Sequence, residues 1–158
     1  IMRWIWIDRF VEFEPGKRAL AVKNVSLAEE HVHDYWEAYP THPAALMVEG
    51  FAQTSGILVG QANDFEHDVV LAKVAKAEFT DIVVPGDQLH YEAEITNLAP
   101  EAASVEGTVR KNGEVIANIS MMFSHANNAM QGLELPHGFV FTGSFQRMVE
   151  PFLEKRND

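Results

Sequence analysis

Glu49 is a lone carboxylate inside an apolar run, Pro43-Ala-Ala-Leu-Met-Val-Glu-Gly-Phe-Ala-Gln-Thr-Ser-Gly-Ile-Leu-Val-Gly60. A carboxylate withdrawn from water is costly unless a partner or a proton compensates it. Its position therefore points either to proton-transfer chemistry or to a structural hydrogen-bond network. Ala45, Glu49 and Gln53 follow one another at i, i+4 and i+8 and share one face of a helix. Upstream, His31, His33 and His42 lie in the polar, irregular stretch from Ser26 to His42. Histidine titrates near neutral pH, which suits it to act as a general acid or base beside a carboxylate. Each of the three also has a plainer reading as a solvated loop residue. The spacing His31-x-His33 with a distant His42 fits no metal-ligand pattern. The chain has no cysteine, which removes thiolate nucleophiles, disulfides and cysteine-based metal sites. No metal and no cofactor is expected.

The elements that must position these groups follow from periodicity. Pro43 suits the first position of a helix, and the apolar run predicts one from about residue 43 to about residue 61. A helix apolar on nearly every side is a buried one. Its length is marginal for a membrane span, and Glu49 and Gln53 sit inside it. Residues 4–14 and Arg18 to Val25, separated by the turn Pro15-Gly16, predict a hairpin. Strands are expected at Val69–Phe79, Gln88–Asn97, Ala103–Lys111 and Glu114–Ser124. Asn112-Gly113 between the last two is a strong hairpin signal. In the last strand Val115, Ala117, Ile119, Met121 and Phe123 are expected on one face. A helix capped by Ser144 and interrupted by Pro151 is expected near the end of the chain. The fold class is α+β: an antiparallel sheet wrapped around one long central helix. One domain is expected over residues 1–125, followed by a C-terminal extension, 126–158, packing on the domain or on a neighbouring subunit. An open sheet edge favours pairing with a second copy.

The 158 residues suit a single domain, and 47% hydrophobic residues supply a core. The formal net charge of −11 disfavours nucleic acid and anionic membranes as partners. An acidic ligand would need a local basic patch, for which Lys73 with Lys76, or Arg110 with Lys111, are the candidates. No signal peptide or membrane segment is recognisable, so a cytoplasmic location is expected.

Four stretches carry a family resemblance: Ile7-Asp-Arg-Phe, Ala21-Val-Lys-Asn-Val-Ser26, Leu46-Met-Val-Glu-Gly-Phe-Ala-Gln53 and Val84-Pro-Gly-Asp87. The chain resembles the β-hydroxyacyl-acyl-carrier-protein dehydratases of fatty-acid synthesis, from about Ile7 to about His125. The resemblance implies a hotdog fold. It also implies a catalytic pair, a loop histidine and a helix glutamate contributed by opposite subunits of a dimer. A glycine N–H at the positive end of the helix dipole polarises the thioester carbonyl in that family. On this chain Glu49 falls on the glutamate, Gln53 on the glutamine one turn later, and Pro43 on the proline before the helix. Tyr35 stands where the family has its histidine. Trp36, Glu37 and Ala38 replace Phe, Pro and Gly, and Ala44 replaces the carbonyl-binding glycine while keeping its N–H.

Dehydration of a 3-hydroxyacyl thioester needs a base for the C2 proton and an acid for the leaving water. A phenol, with an ordinary pKa near ~10, is a poor base. Catalysis would thus rest on Glu49 with Tyr35 as hydrogen-bond donor, or with His33 or His42 as a relocated partner. Pro43, Ala44 and Gln53 are the expected substrate-binding residues. Three readings compete. One is a dehydratase acting on acyl-carrier-protein or CoA thioesters. The second is a non-catalytic acyl-thioester or acyl-carrier binding protein. The third is a hotdog thioesterase in which Glu49 activates water. A homodimer or larger homo-oligomer is expected in each.

Overall fold

The computed structural model describes residues 4–34, 38–126 and 143–154. Strands β1 (Arg9–Glu14) and β2 (Arg18–Asn24) form the first hairpin. A one-turn helix α1 (His31–Asp34) and the long helix α2 (Ala44–Gln61) follow. Then come β3 (Val69–Phe79), β4 (Gln88–Leu98), β5 (Ala102–Lys111) and β6 (Glu114–His125). A terminal helix α3 spans Gly143–Leu153. The strands make one antiparallel six-stranded sheet in the order β1-β2-β4-β5-β6-β3. This is the hotdog fold: α2 packs against β2, β3, β4, β5 and β6, with the sheet curled around it.

The helix is held inside because its own sequence leaves it little else to do. From Gly50 onward its residues are buried on almost every side, apart from half-buried Gln53. The Thr54 hydroxyl donates to the Gly50 carbonyl at 2.9 Å, so it enters the core already satisfied. Pro43 is the cap and Ala44 the first helical residue. The Pro43 carbonyl accepts from the N–H of Leu46 at 3.0 Å and of Met47 at 3.3 Å.

Two glycines let helix and sheet meet closely. A Cβ on Gly50 would lie 2.5 Å from Cζ of Tyr91, whose ring is fully buried on β4. A Cβ on Gly107 of β5 would lie 1.8 Å from the Glu92 carbonyl oxygen and 2.8 Å from the Phe51 ring. Both aromatic rings thus fill space that the glycines leave empty. Burial pushes the Tyr91 phenol well above its usual range, so it stays neutral.

Burial alternates along β4, where Leu89, Tyr91 and Ala93 are buried. The expected alternation fails at the start of β6. Val109 pairs with Ala117 and Arg110 with Val115, leaving Ile116 as the extra residue of a bulge. The bulge turns Val115 outward and buries Ile116. The first strand also begins later than its aromatic residues suggest, at Arg9, because Trp4 and Trp6 are drawn to α2 instead. On β3, which is an edge strand, most side chains are exposed, including Leu71 and Val74. Helix α3 lies against β1 of the same chain. No helix among the described residues is long and apolar enough to cross a membrane.

Gly50→Ala is expected to lower stability by about 1–3 kcal/mol, the usual cost of overpacking a filled core. Tyr91→Leu in that background is expected to recover part of the loss. Urea midpoints of the three proteins check both statements.

Candidate active site

Glu49 sits one residue before the close approach at Gly50, so its side chain leaves the helix at a position fixed by packing. One carboxylate oxygen, Oε1, accepts from the Trp4 indole N–H at 3.0 Å and from the Gln53 amide at 3.1 Å. The Gln53 amide nitrogen also donates to the Trp4 carbonyl at 3.1 Å, and its oxygen accepts from the Trp6 backbone N–H at 2.8 Å. Gln53 therefore ties residues 4–6 to α2 through both ends of its amide. Among the described residues, Oε2 of Glu49 takes no hydrogen bond, and no Arg or Lys pairs with the carboxylate. Glu49 and Gln53 border a pocket of about 250 Å³ whose other lining residues are apolar, from Ala52, Gly56 and Ile57 of α2 to Phe123 of β6.

A second constellation lies beyond Trp6. His31 Nε2 and His42 Nδ1 are 2.9 Å apart, with one ring donating to the other. The Trp6 ring meets His31 edge-on at 4.8 Å between centroids and His42 at 6.1 Å. Trp4 in turn packs edge-on against Trp6 at 5.1 Å. His42 is almost fully buried, its backbone N–H donates to the Val83 carbonyl at 2.8 Å, and its Nε2 has no partner among the described residues. Burial holds the His42 ring down to about 4. The neighbouring His31 and Lys23 push the same way, and Glu29 opposes them. His31 is also lowered, chiefly by burial. Lys23, itself buried, forms an ion pair with Glu29.

The sequence-derived site residues are thus divided. Glu49 and Gln53 are brought together. His42 is joined to His31, and no hydrogen bond links it to Glu49. His33 is exposed on α1, its Nε2 2.9 Å from the Leu27 carbonyl. Pro43 and Ala44 line a separate cavity of about 540 Å³ at the start of α2, with His42, Tyr39, Asp81 and Ile82. Tyr35, Trp36 and Glu37 lie outside the described residues. Of the expected basic pairs, Lys76 is held by Glu78 at 3.0 Å, Arg110 by Glu92 at 3.6 Å, and Lys111 by Asp81. Trp4, Trp6 and the role of His31 were not identified from the sequence. The aromatic residues read as ordinary strand formers, and nothing in an eleven-residue separation marks His31 and His42 as a pair.

The model of the FabA-like domain family matches residues 3–120. The 3-hydroxyacyl-[acyl-carrier-protein] dehydratase FabZ of Listeria monocytogenes is 35% identical over 122 residues, covering 77% of this chain and 85% of that protein. FabZ of Hydrogenobaculum is 36% identical over 119 residues, covering 73% and 80%. Among solved structures, the dehydratase heterocomplex ApeI:P from Xenorhabdus doucetiae aligns with a TM-score of 0.65 at 14% identity, over 80% of this chain and 86% of that one. At that identity the likeness speaks for the fold alone.

The histidine pair generates a pH dependence with a defined sign. An unfolded histidine titrates near ~6.5, and His42 does so near 4 in the fold. Between those values the unfolded chain binds more protons, so the contribution is complete above ~6.5 and is lost as the pH falls through the window. The full loss amounts to about 3 kcal/mol at ~1.4 kcal/mol per pH unit. His42→Phe is expected to flatten the decline in unfolding free energy between about pH 6.5 and pH 5, measured by urea titration at several pH values.

Proposed function

This chain belongs to the FabA-like family, and we propose that it works as a 3-hydroxyacyl-thioester dehydratase whose acid–base group is Glu49. The observation that carries the reading is the carboxylate itself. It borders an apolar pocket, with one oxygen oriented by two neutral donors and the other unoccupied by any described residue. Such an arrangement fixes direction without a cation to hold the group in an ion pair. Glu49 takes the C2 proton, the C2–H electron pair becomes the C2=C3 bond, and the C3 hydroxyl departs with that proton as water.

The site is completed by a second copy of the chain. In one protomer the helix start, Pro43 and Ala44, lines a different cavity from the one that Glu49 borders. Pairing through the exposed edge strand β3 would place these elements of one copy against Glu49 of the other. There the Ala44 N–H, at the positive end of the helix dipole, polarises the thioester carbonyl, and the partner's Tyr35 donates a hydrogen bond. The substrate is carried on an acyl-carrier protein or CoA, and the reaction belongs to cytoplasmic fatty-acid synthesis. Tyr35 at the family's histidine position favours one other reading, an acyl-thioester binding protein that has lost its base.

Turnover of a 3-hydroxyacyl-carrier substrate and its CoA counterpart, read for both enoyl product and free thiol, separates dehydration from hydrolysis and from mere binding. Glu49→Gln is expected to reduce enoyl formation by on the order of a hundredfold to ten-thousandfold. Tyr35→His is expected to raise it, because it restores a base with a near-neutral pKa. Brisk wild-type turnover that Tyr35→Phe leaves unchanged would remove Tyr35 from the site. Sedimentation as a stable monomer at micromolar concentration would remove the second copy.

A further inference from the structure

The pocket beside Glu49 has a wall that lies outside the family match. That match ends at residue 120, whereas helix α3 begins at Gly143. Phe145 of α3 nevertheless lines the same pocket as Gly56 of α2, Val70 and Leu71 of β3, and Phe123 of β6.

The sequence of α3 dictates this placement. Phe145, Met148, Val149 and Phe152 recur at three- and four-residue spacing and form one apolar stripe, while Gln146, Arg147 and Glu150 are exposed. Val149 is fully buried, and the Phe152 ring lies 6.3 Å from Phe13 of β1. Phe145 and Phe152 are two turns apart on one face, a span of about 10 Å. With its C-terminal end seated on β1, the helix carries Phe145 to the side where α2 meets β3, across the open side of the curled sheet.

We propose that Phe145 limits the size of the acyl group that the site accepts. The inference rests on the dehydratase reading for the identity of the ligand, an acyl chain on a thioester. Glu49 and Gln53 are the polar side chains of the lining, and all the others are apolar or glycine. The reacting C2–C3 unit therefore belongs at the polar end and hydrocarbon against the rest, since a polar tail there would lose its hydration without a partner. Gly56 of the same lining offers an independent lever. A Cβ on Gly56 would stand 3.6 Å from the Phe123 ring, ordinary contact, so Gly56→Ala narrows the pocket without strain.

The test compares wild type, Phe145→Ala, Phe145→Trp and Gly56→Ala on 3-hydroxyacyl thioesters from butyryl to palmitoyl, read as kcat/KM. Phe145→Ala is expected to raise the ratio of longest to shortest substrate by roughly tenfold or more, and the two narrowing variants to lower it. Phe145→Leu keeps the apolar stripe and gives the same reading if the alanine variant does not fold. A length profile unchanged in folded Phe145 variants overturns the proposal. If wild type dehydrates none of the series, the dehydratase reading fails separately. The same proteins are then titrated calorimetrically with acyl-CoAs of the same lengths. A shifted length preference supports the role of Phe145, and an unshifted one overturns it.

Discussion

The structure depends on the burial of one helix that is apolar on nearly every side. From Gly50 to Gln61 the helix is removed from water on nearly all sides, apart from half-buried Gln53, and a single flat sheet covers only one side of a cylinder. The sheet therefore curls, and close packing requires gaps where large rings meet backbone. Gly50 and Gly107 supply them, admitting Tyr91 and Phe51. The approach also fixes the rotation of α2 about its axis. Glu49 and Gln53, on the turn at Gly50, are consequently directed to the edge of the wrapped region, where a carboxylate keeps access to a pocket and to donors.

Much of this was legible in the sequence, because the signals were local. Alternation located β4, and the left-handed turn at Asn112-Gly113, with φ of 50° and 94°, is the one that those two residue types favour. The apolar run located α2 to within one residue at its start. What escaped was set by tertiary demands. Ile116 is inserted as a bulge because β5 and β6 must bend, and no feature of its own sequence announces it. Trp4 and Trp6 are strand-forming residues that join no sheet ladder; their hydrogen-bonding groups serve Gln53 and Glu49. Of the candidate site, Glu49 and Gln53 were legible as polar residues out of place in an apolar helix. The pairing of His31 with His42 was not, because it depends on how the loop closes over Trp6.

Trp6 connects the two constellations that the sequence left unrelated. Its backbone N–H is held by Gln53, and its ring is packed against both histidines. The segment carrying it has few other ties: the Asp8 N–H donates to the Val22 carbonyl at 2.7 Å, and the Asp8 carboxylate accepts from the Asn24 backbone at 2.7 Å. The orientation of the Glu49 carboxylate thus rests on a stretch held by side chains instead of by a ladder. That stretch is in turn wedged against a loop whose buried rings resist protonation. Gln53 is the common point. With both ends of its amide engaged, it cannot rotate to satisfy one partner without releasing the other. A contiguous chain of ring packing and hydrogen bonds, through Trp6, Gln53 and Trp4, links the loop to the carboxylate. The helix supplies the acid group. What aims it is the meeting of an unpaired N-terminal segment with a histidine-bearing loop, and that dependence explains why a polar pair so plain in the sequence needs distant aromatic residues to become a site.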